Sequence, residues 1–219
     1  MKFSAPIIFL AFVCSHNIFA SSSIDIRTEY EQWNSGINGK TNAILFGFGG
    51  SHAVNGKILL GGGLITGTHN TSTNETLKRI DADLAIGYRV HPNVSLFTGY
   101  RHIVIDHENN TFSSRSFTDT THGIGVGAST YERIYPDLTA YGRAGLSGLL
   151  STLNSDVTGK DKGIGISTGF ELGLVYQLKN AINIGLSVKQ QSYTIDYKND
   201  APKWQNNYVR LGSSLSWSF

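Results

Sequence analysis

The apolar residues of this chain recur with a period of two. Ile80, Ala82, Leu84, Ile86, Tyr88 and Val90 alternate with Asp81, Asp83, Ala85, Gly87 and Arg89. Residues 164–178 repeat the pattern, with Ile164, Ile166, Phe170, Leu172, Leu174 and Tyr176 set against Gly165, Ser167, Gly169, Glu171 and Gln177. Residues 182–188 and 209–219 do the same. Successive side chains of a strand point to opposite faces, so the pattern predicts strands. Ten are expected, over 23–33, 41–50, 56–67, 78–90, 94–106, 119–134, 138–150, 164–178, 182–197 and 207–219. If the charge-dense first segment is a tail, the even-strand rule favours eight. Short connections at 51–55, 91–93, 135–137 and 179–181 alternate with longer polar ones at 34–40, 68–77, 107–118, 151–163 and 198–206. Three of the short ones, "HPN", "YPD" and "KNA", are centred on 92, 136 and 180, a regular interval of 44 residues. A propeller blade of that length needs four short strands. Each interval here holds two long strands and a loop.

Alternation leaves open whether the apolar face meets a core or lipid. Three features favour lipid. The strands match the ~9–11 residues of a tilted membrane span and exceed the ~5–6 of soluble strands. Long loops lie at one end and short turns at the other. The polar face combines Gly and Ser with charges, as suits a crowded lumen. The expected fold is all-β: a transmembrane antiparallel up-and-down β-barrel, with both termini and the short turns on the periplasmic side. Tyr30, Trp33, Tyr193, Tyr197 and Tyr208 near the long-loop ends, and Tyr88, Tyr131, Tyr176, Trp217 and Phe219 near the short turns, are expected to form two interfacial girdles.

The N-terminus carries a different signal. Met1-Lys2, the apolar run Ala5–Val13 and the small-residue exit at Ala20 read as a cleaved signal peptide over 1–20, leaving a single domain over 21–219. Cys14, the only cysteine, falls inside it, so the mature chain is expected to form no disulfide and no cysteine-ligated metal site. With 18 basic and 16 acidic residues, the chain gives no reason to expect a nucleic-acid partner. No cofactor is expected.

The chain end "YVRLGSSLSWSF" resembles the C-terminal signal of bacterial outer-membrane β-barrels at Arg210, Gly212, Leu215, Trp217 and Phe219. "IGYRVHPNVSLFTGYRHIVID" is similar to a hairpin of small porin-like outer-membrane proteins. The resemblance implies secretion through the inner membrane, insertion by the outer-membrane assembly machinery, and contact with outer-membrane lipids and lipopolysaccharide in a Gram-negative envelope, as a monomer.

Candidate chemistry lies on the inward face. Alternation turns Asp25, Glu29, Glu31, Asp81, Asp83 and Glu171 into the lumen, with Arg27, Lys57, Arg89, Arg101, Arg143, Lys189 and Arg210. It also turns Phe97 and Ile103 inward. Near-balanced charge in a narrow lumen predicts a cross-linked plug and a porin-like or structural envelope role, since unlike charges at short range recover part of the hydration they lose. Two enzymatic alternatives bring in further groups. An omptin-like surface protease would use Asp81, Asp83, Asp106, His107, Asp119 and His122 to activate water. A lipid A-modifying enzyme would use His102 or His122 with Ser129 or Thr98. A third alternative is an adhesin acting through loops 68–77, 107–118 and 151–163. His52, His69, His91 and His107 are scattered over turns and loops, and no metal cluster is predicted from them. The sequons "NTS", "NET" and "NNT" are expected to be solvated loop tracts.

Overall fold

The computed structural model describes residues 22–35, 39–70, 75–109, 116–156, 159–178, 181–198 and 203–219. The expected signal peptide lies outside these, as do all or part of the three sequons and the tips of the candidate adhesive loops. The described residues form ten strands: β1 (Ser22–Ser35), β2 (Gly39–Ala53), β3 (Ile58–Asn70), β4 (Glu75–His91), β5 (Val94–Asn109), β6 (Phe117–Tyr135), β7 (Leu138–Ser155), β8 (Gly159–Gln177), β9 (Ile182–Tyr197) and β10 (Trp204–Ser218). Each pairs antiparallel with its sequence neighbours, and β1 pairs with β10 to close the barrel. The charge-rich first segment is therefore a wall strand, and the count is ten. At the seam, the Ser22 and Phe219 backbones exchange two hydrogen bonds of 3.0 Å. Closure leaves no strand edge to recruit a second chain.

The strands run further than expected at the end away from the termini. The anticipated loop 151–163 is mostly β7 and β8 paired from Ser151↔Gly163 to Ser155↔Gly159. Long and short connections therefore differ less than the sequence suggested. The cause is a reversal in the phase of the alternation. On β5, Leu96 and Tyr100 face outward, but beyond His102 it is Ile103 and Ile105 that are buried inside, while Glu108 is exposed outside. On β9, Leu186 and Val188 face outward, whereas further on Tyr193, Ile195 and Tyr197 face inward and Asp196 outward. β10 repeats this, with Leu211 and Val209 outside and Tyr208 and Trp204 inside.

The wall thus has two zones. In the zone nearer the termini, a belt of exposed apolar side chains circles the barrel, including Ile24, Phe46, Leu84, Leu96, Ile124, Leu146, Leu172, Leu186 and Leu211. An apolar surface continuous over all ten strands far exceeds what a water-exposed monomer carries, and lipid is the solvent that suits it. In the distal zone the outward positions are polar, as at Gln32, Asn42, Lys78, Glu108, Asn154, Lys160, Lys162 and Gln205. There the apolar residues fill the interior, as in a water-soluble barrel.

This corrects the girdle expectation. Trp33, Tyr193, Tyr197 and Tyr208 are buried in the lumen, and only Tyr30 of that set faces outward. Near the short turns, Tyr88, Tyr176, Trp217 and Phe219 are exposed on the outer face as expected. Tyr131 instead lies at the barrel mouth, its hydroxyl donating to the Pro92 carbonyl.

Candidate functional site

The interior has two layers. The distal layer is an apolar cluster of Trp33, Leu77, Ile103, Ile105, Leu149, Leu153, Tyr193, Ile195, Tyr197, Trp204 and Tyr208. Trp33 stacks on Tyr208 with ring centroids 5.5 Å apart, and Tyr208 stacks on Tyr193 at the same distance. The Tyr208 hydroxyl donates to that of Tyr193 at 2.6 Å. The phase reversal places these rings across the lumen, where a polar lining would leave a channel.

Below lies the charged layer. Arg79, Asp81, Glu31 and Arg210 are all essentially buried. Arg79 makes a bidentate contact to Asp81 at 2.7 and 2.8 Å and approaches Glu31 at 3.4 Å. Its guanidinium also lies 4.0 Å from the Tyr208 ring centre, joining the two layers by a cation–π contact. Arg210 bonds Glu31 through Nε, Glu29 at 3.2 Å and Asp81 at 3.1 Å. His69 Nε2 sits 2.9 Å from Glu31. Each acid in the centre of this cluster therefore meets an arginine, the fork geometry best suited to carboxylate.

Register explains how residues far apart in sequence meet. Glu31 on β1 stands opposite Arg210 on β10, Arg210 opposite Lys189 on β9, Lys189 opposite Glu171 on β8, and Glu171 opposite Arg143 on β7. On β4 and β5, Asp83 stands opposite Arg101, whose Nε donates to it at 2.6 Å. Arg27 pairs with Asp25 at 3.0 Å. Arg143 lies 3.9 Å from Glu171, which also accepts from the Tyr141 hydroxyl at 2.7 Å. Gly173 makes that last bond possible, since a Cβ there would overlap the Tyr141 ring. Towards the termini, Asp25, Arg27, Glu29, Arg143, Glu171, Lys189 and Arg210 line a cavity of about 70 Å³. That is room for a handful of waters.

Eleven of the thirteen expected lumen charges take part in this layer or line its cavity. Lys57 does not. It is exposed in the turn before β3, its backbone N–H donating to Asn55 Oδ1 at 2.8 Å. A turn has no inside face, so the alternation could not be extended to it. Arg89 has inward parity but stands at the mouth, donating to the Gly56 carbonyl at 3.2 Å. Phe97 and Ile103 are inward and buried as expected.

Sequence reasoning missed Arg79 and His69 as members of the charged layer, and named Asp119 only for the protease alternative. Arg79 follows the same parity as Asp81 and was available to it. His69 lay in an expected loop. Asp119 is buried in a separate hydroxyl cluster, accepting from Ser151 and, at 3.0 Å, from Tyr197.

The residues named for the enzymatic alternatives are divided between the two faces of the wall. Asp81, Asp83, His107 and Asp119 point inward, whereas His122 points outward. Asp106, also of outward parity, accepts from Thr118 at 2.7 Å. His102 and His122 lie opposite each other on β5 and β6. Ser129 has inward parity, and Thr98 is outward but bonded to the Gly125 carbonyl at 3.0 Å. No group of three His, Cys, Asp or Glu side chains arranged for a metal is found among the described residues.

No protein-family model matches the chain, and no curated protein matches it either. Solved structures do. The outer membrane protease OmpT of Escherichia coli superposes with a TM-score of 0.59 at 12% identity, covering 96% of this chain and 99% of that one. The β domain of the Bordetella autotransporter BrkA gives 0.52 at 10% identity, covering 91% and 100%. The transport unit of the Escherichia coli autotransporter AIDA-I gives 0.50 at 11%, covering 96% and 94%. At such identities the likeness is one of fold. The fold is the closed antiparallel β-barrel of Gram-negative outer-membrane proteins, with ten strands.

Proposed function

We propose that this chain is a closed structural barrel of a Gram-negative outer membrane, not an open diffusion pore. The observation that carries the reading is the filled lumen, with aromatic rings stacked over an arginine–carboxylate layer and a cavity of about 70 Å³ beneath. The proposed orientation puts the termini and the short turns in the periplasm and the distal zone outside, where water meets polar outward residues. The chain would reach this place through its signal peptide and the assembly machinery, with residues 210–219 as the assembly signal. It would act as a single copy among outer-membrane lipids and lipopolysaccharide. A peptide tag inserted at 110–115 should be bound by antibody on intact cells, and binding only after permeabilisation would reverse the orientation.

Similarity to a protease does not supply a protease site. Asp81 and Asp83 are each held by arginine, and His122 is on the other side of the wall. The arrangement favours the structural reading. Purified protein in planar bilayers should show no sustained channel current. A steady current of open-porin size would overturn the reading and make passive solute diffusion the function.

A further inference from the structure

The outer face carries a polar cluster that the closed-barrel reading does not use. His102 on β5 and His122 on β6 are directly opposed, and Tyr100 lies two residues along β5 on the same face. His122 is flanked across the next pairing by Leu150, and His102 by Ala82. The cluster therefore sits where the apolar belt gives way to the polar distal zone. Below it are Ile124 and Leu84, and above it is the Asp106–Thr118 pair. Ionisable side chains are costly in the bilayer interior and tolerated near its interfaces, so this boundary admits a histidine pair that reaches a ligand from the water side.

The atoms themselves narrow the function. His102 Nδ1 and His122 Nδ1 are 3.3 Å apart, and the Tyr100 hydroxyl is 2.6 Å from the same His122 Nδ1. A neutral imidazole Nδ1 offers either one proton or one lone pair. If His122 accepts from Tyr100, its lone pair is taken and His102 must compete for it. If it donates to Tyr100, nothing remains for His102. Two contacts thus fall on His122 Nδ1, a position from which one proton cannot serve both. A metal ion can serve it. Two nitrogens each about 2.0–2.1 Å from a tetrahedral ion stand about 3.3–3.4 Å apart. The observed nitrogen separation is that bite.

The geometry points to a divalent transition-metal site on the outer face, with His102 and His122 as its two protein ligands. Tyr100 lies close enough to bond a metal-bound water, and solvent oxygens complete the shell. Imidazole nitrogen favours the later first-row divalent ions, Ni²⁺ and Zn²⁺ among them, over Mg²⁺ or Ca²⁺. An ion there would clip β5 to β6 at the membrane boundary and remain open to exchange from outside.

The test uses the untagged chain folded in phosphate-free detergent micelles and titrated calorimetrically with Ni²⁺ and with Zn²⁺. The site predicts uptake of one ion per chain. His102→Asn and His122→Asn should each weaken it by at least the roughly tenfold that even a lost outer-shell partner costs. The double variant should take up none, and His91→Asn, in a turn at the other end, should behave as wild type. Should a variant fail to assemble, the wild-type protein gives a second reading. Zn²⁺ should protect His102 and His122, but not His91, from diethyl pyrocarbonate, as mapped by mass spectrometry. Absence of one-equivalent uptake, uptake that survives the double substitution, or equal labelling with and without Zn²⁺ would each overturn the assignment.

Discussion

Arg79→Ala should cost the folded barrel about 3–5 kcal/mol, the loss that follows when one partner of a buried ion pair is removed and the other is left charged. Arg79 holds Asp81 through two short bonds and shares Glu31 with Arg210 and His69. It also covers the Tyr208 ring. Its removal leaves Asp81 and Glu31 with Arg210 as the arginine they share, which also serves Glu29, and exposes the underside of the aromatic layer to a new void. The measurement is urea unfolding in lipid or detergent, followed by fluorescence from the buried Trp33 and Trp204. Arg27→Ala is the control, since Arg27 is partly exposed and its ion pair is with Asp25; its loss should be far smaller. Replacing the pair together, as Arg79→Met with Asp81→Leu, should lose less than Arg79→Ala, because no unpartnered carboxylate remains at position 81. An Arg79→Ala protein with wild-type unfolding would show that the charge cluster is solvated and not a structural plug.

Much of this was legible in the alternation. Parity alone turned Glu31, Asp81, Asp83, Arg101, Arg143, Glu171, Lys189 and Arg210 inward, and all of them are there. Parity does not report height along the barrel axis. That is why Arg89 stands at the mouth and Lys57 outside, and why Trp33 and Tyr208 were assigned to a lipid girdle. The missing element was the change of solvent partway along each strand. Where lipid gives way to water, the outward face must become polar and the inward face can become apolar. Leu77 against Lys78 and Ile105 against Asp106 are both products of that change. Read as one continuous pattern, such segments look like polar loops. Read as a phase reversal, they extend the strands and put a hydrophobic core in the barrel. The partners within the charged layer were hidden for another reason. The Glu31–Arg210 pairing depends on which strands close the barrel, and neither strand's own pattern states it.

The two-layer interior also determines which substitutions should open the barrel. A lumen sealed by charge pairing alone would conduct once Arg143 or Glu171 were removed. Both residues, however, line the small cavity on the side of the termini, beneath the stacked rings. Taking either away enlarges that cavity without reaching the distal side, so Arg143→Ala and Glu171→Ala should stay as silent as wild type in planar bilayers. Trp33→Ala combined with Tyr208→Ala should not. These rings stack on each other, Tyr208 is fully buried, and it separates Arg79 from the apolar cluster above. Each such ring fills about 150–250 Å² of buried surface, so losing two leaves a gap the remaining aliphatic side chains do not span. The cost is about 3–5 kcal/mol per ring. The wall should survive it, because its backbone hydrogen bonds run between all ten strands and do not depend on the filling. The expected record is stepwise current from the double variant, with no steady current from wild type, Arg143→Ala or Glu171→Ala. Current from Arg143→Ala with none from the aromatic double variant would place the seal in the charged layer instead of the rings.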